Sequence, residues 1–128
     1  MFTFTKKERL CSKETIERLY SSPHKTLVFP LSVHWLETDY TKQPSRLQVL
    51  IVAPKKKLHH AVDRNRTKRL MRECYRKRKG LLLESLEGKD KAYALSINYI
   101  DDKVPDFHRL ELSFDKLFET LKEKMAND

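Results

Sequence analysis

Glycine is scarce in this 128-residue chain, with two residues, and proline is little commoner, with five. Low-complexity tracts and repeats are also missing, so nothing marks a linker or a second domain. Residues 1–128 read as one domain, large enough to bury a modest core of its own. The two cysteines, Cys11 and Cys74, lack CxxC spacing and cannot build a disulfide framework, which suits a reducing cytosol. A metal site made from them would need histidine partners at ligand spacing, and none is evident. No apolar run approaches the roughly 18 residues of a membrane span, and no basic-then-apolar leader follows Met1. The chain is therefore expected to be neither membrane-spanning nor secreted, and to reside in the cytoplasm.

Acid is what residues 55–79 lack. Twelve of the chain's 27 Lys and Arg residues fall there, against Asp63 and Glu73 alone, so the stretch is net +10. The remaining 103 residues hold 15 basic and 16 acidic side chains, and the +9 of the whole protein is a local patch. Charge this concentrated repels itself unless a polyanion neutralises it. Nucleic-acid binding is the leading expectation.

The apolar period changes along the chain. Over residues 12–21, Ile16, Leu19 and Tyr20 stand at i, i+3 and i+4, with Ser12 as N-cap, Glu14 in the first turn and Pro23 as a stop, which predicts a short helix. Strand-like runs follow at 27–29, 31–38 and, after a polar turn at 41–45, at 47–53, where LQVLIVA is apolar enough for burial on both faces. The basic segment predicts a helix over 60–80, residues 92–99 a fourth strand, and residues 106–125 a last helix with Phe107, Leu110, Phe114, Leu117, Phe118 and Leu121 at helical spacing. The resulting order is α-β-β-β-α-β-α, an α+β domain whose basic helix crosses between two long strands.

A helical wheel of the basic segment separates two faces. With Val62 at zero and 100° per residue, Thr67, Leu70, Met71, Cys74 and Tyr75 fall between about 80° and 220° and should face the core. Ala61, Asn65, Lys68, Arg69, Arg72 and Arg76 fall between about 240° and 340°, with Glu73 and Asp63 outside that arc. A solvated structural helix would mix Glu with its Lys to gain i, i+4 pairs. This face suits phosphate instead: Arg supplies forked donors, Lys a point charge, and Asn a neutral donor and acceptor. Lys6, Lys7 and Arg9 either extend the same footprint or only solubilise the terminus. His59 and His60 are adjacent and diverge in direction, so they are read as touching RNA or solvent rather than sharing a metal. Cys74 reads as core and Cys11 as an ordinary thiol.

The run Ala61-Val62-Asp63-Arg64-Asn65-Arg66-Thr67-Lys68-Arg69-Leu70-Met71-Arg72-Glu73, preceded by Pro54-Lys55-Lys56-Lys57, resembles the "RNR" signature of the protein subunit of bacterial ribonuclease P. Many members of that family carry glycine where this chain has His59, which implies a bulkier loop entering the helix. The resemblance implies a ribosomal-protein-like two-layer fold with a four-stranded sheet and a left-handed β-α-β crossover, against the usual handedness. It implies a catalytic RNA that removes the 5′ leader of precursor tRNA with Mg²⁺ held mainly by that RNA. The small protein then acts as a non-catalytic subunit that binds both RNAs, and no protein partner is implied. By similarity, Lys55, Lys56, Lys57, Arg64, Asn65, Arg66, Lys68, Arg69, Arg72 and Arg76 would contact RNA. Ile16, Tyr20 and Trp35 would line a cleft for the single-stranded leader, with Phe29 a further candidate, since any base can stack on an aromatic ring. Tyr20, Phe29 and Trp35 can equally be core, because strand alternation does not tell which face is wet.

Two other functions compete. A general RNA-binding or ribosomal-type protein could use the same helix without processing anything, and stimulation of a ribonuclease P RNA at low Mg²⁺ separates the two. A protein-only nuclease would need side chains such as His59, His60, Asp63 and Glu73 to converge on one point. Asp63 and Glu73 lie far apart in rise and angle, and RNA-free protein incubated with precursor tRNA decides the question.

Overall fold

The computed structural model describes residues 6–43 and 45–127. Three helices, α1 (Lys13–Ser21), α2 (Ala61–Ser85) and α3 (Phe107–Ala126), alternate with four strands, β1 (Lys25–Val28), β2 (Leu31–Thr38), β3 (Leu47–Val52) and β4 (Ala92–Tyr99), in the expected α-β-β-β-α-β-α order. Short 3-10 turns occupy Lys6–Glu8 and Tyr40–Lys42, and Pro44 of the expected polar turn lies outside the described residues.

Local chemistry sets the helix starts. Ser12 caps α1 by accepting from the Thr15 N–H at 3.3 Å, and Asp106 caps α3 by accepting from the Arg109 N–H at 3.1 Å. The basic helix runs past Gly80, where the sequence suggested its end, to Ser85. Leu82 and Leu86 are buried in the core beyond that glycine, and their packing outweighs the roughly 1 kcal/mol a mid-helix glycine costs. The left-handed turn that follows is at Gly88, with φ of 75°.

The sheet has the order β1-β2-β4-β3, antiparallel except for the β3–β4 pair that α2 connects. Its two faces carry separate cores. Val33, Trp35, Val49, Leu95 and Ile97 pack with α2 and α3, while Leu36, Leu50 and Ala94 pack with Leu10, Ile16 and Leu19. The expected two layers thus gain a partial third, because α1 covers part of the opposite face. β4, not β3, is the strand buried almost throughout on both faces. β3 is an edge strand whose apolar run is explained differently: residues 9–10 run parallel to it, with the Leu10 N–H donating to the Val49 carbonyl at 3.0 Å.

Candidate nucleic-acid interface

The wheel's division of α2 holds in three dimensions. Thr67, Met71, Cys74 and Tyr75 are fully buried and Leu70 packs against them, whereas Asn65, Arg66, Arg69 and Arg72 are exposed and Lys68 is half-exposed. Burial pushes the Cys74 thiol up to about 12, so it is an inert core group.

The twelve cations fall into two groups by their partners. Arg76 is held by Glu73 through bonds of 3.0 and 2.5 Å, and this bond keeps the Glu73 carboxyl below its usual range. Glu73 therefore acts on the face from which the wheel excluded it, and the charge of Arg76 is offset. Lys77 and Arg78 reach Glu111 on α3 at 3.7 and 3.1 Å, Arg78 also reaches Asp115 at 2.6 Å, and Lys79 reaches Glu8 at 2.7 Å. Among the described residues, no carboxylate pairs with Lys55, Lys56, Lys57, Arg64, Arg66, Lys68, Arg69 or Arg72. The carboxylate-free cations thus occupy the entry loop and the first three turns of α2.

That loop is built without glycine. Lys55, Lys56 and Lys57 stand exposed on a turn closed by the Lys57 and Leu58 N–H groups on the Pro54 carbonyl, both at 3.1 Å, with Leu58 buried as its anchor. Arg64 donates to the Leu58 and His59 carbonyls at 2.9 and 2.8 Å, so it ties the loop to the helix. No described non-glycine residue has a positive φ, and His59 fits where the family signature often has glycine. His59 and His60 are both exposed, and His60 is an N-cap whose side chain makes no capping bond.

The second site lies between α1 and the sheet. Tyr20 is 44 % exposed, its ring 4.9 Å from that of His34, and its hydroxyl meets Ser96 Oγ at 2.7 Å and donates to Asn98 Oδ1 at 3.0 Å. Ile16 is half-buried against the cluster of Leu10, Leu19 and Ala94, as are Leu36 and Leu50. Trp35 does not line this cleft as expected: it points to the other face, 3 % exposed in the α2–α3 core and stacked on His24 at 4.2 Å. His34, one residue earlier, takes the place expected of Trp35. The polar members Ser96 and Asn98 escaped the sequence reading, although serine and asparagine two apart in an otherwise apolar strand were a usable signal. Phe29 stands 65 % exposed at the tip of the β1–β2 hairpin.

A cleft of about 300 Å³ lined by Arg9, Cys11, Val49, Leu50, Ile51 and Arg72 joins the N-terminal segment, β3 and the cationic face of α2. The described residues include no group of three or more His, Cys, Asp or Glu placed to hold a metal ion.

The ribonuclease P family model matches residues 4–122. The chain belongs to that family. Ribonuclease P protein components from two strains of Porphyromonas gingivalis are 32 % identical over 116 residues, spanning 90 % of this chain and 83 % of theirs. The ribonuclease P protein component of Chlorobium phaeobacteroides is 50 % identical over 42 residues. The fold matches that of the Staphylococcus aureus RNase P protein with a TM-score of 0.71 at 18 % identity, over 90 % of this chain and 95 % of that one. No helix among the described residues is long and apolar enough to cross a membrane.

Proposed function

We propose that this ribonuclease P protein binds the catalytic RNA through the carboxylate-free cations of the entry loop and α2, and the 5′ leader of precursor tRNA across α1 and the sheet. The RNA, with its Mg²⁺, cuts the leader. The observation that carries this reading is the segregation of charge within residues 55–79: eight cations without carboxylate partners stand apart from four that have them. A solvated structural helix would distribute its acids along the whole length. The exposed ring of Tyr20 beside His34, its hydroxyl fixed by Ser96 and Asn98, offers a stacking surface for unpaired bases. Asn65 lies among the cations as an uncharged donor and acceptor for phosphate or a 2′-hydroxyl.

The test is reconstitution. Added to a bacterial ribonuclease P RNA at low Mg²⁺, the protein should stimulate cleavage of precursor tRNA at the mature 5′ end, and the protein alone should cut nothing. Tight binding without stimulation would instead make the chain a general RNA-binding protein.

A further inference from the structure

We propose that the buried Lys79–Glu8 pair is a positioning clamp that makes the N-terminal basic segment a second wall of the RNA-binding cleft. This inference rests on the RNA-binding role of α2. Lys79 stands one turn beyond Tyr75 at the border between the cationic arc and the apolar stripe of Met71, Tyr75 and Leu82, and it is buried with them, where a leucine would pack without penalty. Its side chain is 5 % exposed, and its ammonium meets both Glu8 carboxylate oxygens, at 2.7 and 2.8 Å, with Glu8 17 % exposed. Such a pair is weak as a source of stability, since desolvating two charges offsets most of their attraction, but it defines which segment lies where.

What it fixes here is functional ground. Glu8 stands between exposed Lys7 and Arg9, and Leu10 continues as the cover of the β3 edge. Arg9 and Arg72 line one cleft. Lys6 and Lys7 carry no carboxylate partner among the described residues. One inward acid thus ties to α2 a turn that bears exposed Lys6 and Lys7 and leads into Arg9, which shares a cleft with Arg72; the other side-chain bond to this turn is from Gln48 Nε2 to the Lys7 carbonyl, at 3.4 Å.

Glu8→Gln gives the clamp an unusual signature. It removes a negative charge, so electrostatics alone predicts tighter binding of the catalytic RNA. The clamp predicts weaker binding, a shallower slope of log K against log salt, and faster trypsin cleavage at Lys6, Lys7 and Arg9. Lys79→Met, which keeps the packing and loses the charge, should do the same. The exposed double variant Lys6→Ala/Lys7→Ala, which leaves the fold alone, should reduce the slope by about 1.4 to 1.8 and affinity at ~0.15 M salt by about 15- to 30-fold. Adding it to Glu8→Gln should cost little more, because the segment has already left the face. Additive losses, tighter binding by Glu8→Gln, or an unchanged slope in Lys6→Ala/Lys7→Ala would each overturn the clamp. Failure of the unaltered protein to bind the RNA with any salt dependence would overturn the RNA-binding reading itself.

Discussion

Arg69 and Arg78 carry the same charge on the same helix, and alanine at each should have opposite consequences. Arg69 is exposed and without a carboxylate partner among the described residues. If it neutralises one RNA phosphate, Arg69→Ala should reduce the slope of log K against log salt by about 0.7 to 0.9 and weaken binding about four- to sixfold at ~0.15 M salt. The melting temperature should scarcely move, since surface substitutions stay within about 0.5 kcal/mol. Arg78 is 12 % exposed and donates to Asp115 at 2.6 Å, to Glu111 at 3.1 Å and to the Cys74 carbonyl at 3.1 Å, so it fastens α2 to α3. Arg78→Ala should cost about 1 to 3 kcal/mol of stability, from the charged hydrogen bonds lost to Asp115, Glu111 and the Cys74 carbonyl, and should leave the slope unchanged. The assay is equilibrium binding to the catalytic RNA over a range of salt, with thermal melts alongside. Equal loss of slope in the two variants would mean that the whole patch attracts RNA diffusely, and the division into paired and carboxylate-free cations would carry no functional meaning.

Tyr20→Ala should weaken precursor tRNA relative to mature tRNA by about 1 to 3 kcal/mol through loss of a stacking ring. Tyr20→Phe should preserve that discrimination but destabilise the fold by about 0.5 to 1.5 kcal/mol, because the buried Ser96 hydroxyl loses a partner; paired binding and melting measurements check both. Burial, and then Lys25, holds His34 below its ordinary value of 6.5. On acidification the unfolded chain therefore takes up this proton first, and the stability His34 contributes above that pH declines as pH falls through its folded value. Denaturant unfolding at about pH 7.5 and 5.5 should show a smaller acid loss in His34→Gln than in the unaltered protein. Trp35 is the chain's one tryptophan and lies in the α2–α3 core, so its emission should be blue-shifted and insensitive to single-stranded leader RNA; quenching by leader would return it to the cleft.

Legibility in the sequence followed the range of the interactions involved. The buried stripe of α2 was readable because helical period is a one-dimensional property, and Thr67, Met71, Cys74 and Tyr75 all lie where 100° steps put them. The Glu73–Arg76 pair was readable in principle too, as an i, i+3 contact. Trp35 was placed on the wrong face because alternation separates His34 from Trp35 without saying which side α1 will occupy. That side is decided by the α1 cluster of Leu10, Leu19 and Ala94, which joins distant segments. β3 was read as doubly buried for a similar reason, since its cover comes from residues 9–10, remote in sequence. Lys79 resembled its neighbours as one more solvated lysine, and only a contact spanning 71 positions reveals its carboxylate partner.

The position of the carboxylate-free cations is itself unfavourable to the isolated helix. The start of α2 bears the positive end of the helix dipole, where acids stabilise and bases do not. Asp63 is its one acid in the first turn, and the N-cap His60 makes no side-chain capping bond. Arg64, Arg66, Lys68 and Arg69 crowd the same end. The bonds from Arg64 to the Leu58 and His59 carbonyls offset part of this by securing the loop, but they supply no negative charge. A phosphate placed there would meet the helix N-terminus and the surrounding cations together, relieving both the dipole and the like-charge repulsion. Under the proposed binding mode, the part of α2 whose start is least favoured by its own charges is the part that RNA would stabilise most, so binding energy and the ordering of the helix start would be coupled in one region. The paired C-terminal half, fastened to α3 and to Glu8, keeps the rest of the helix in place.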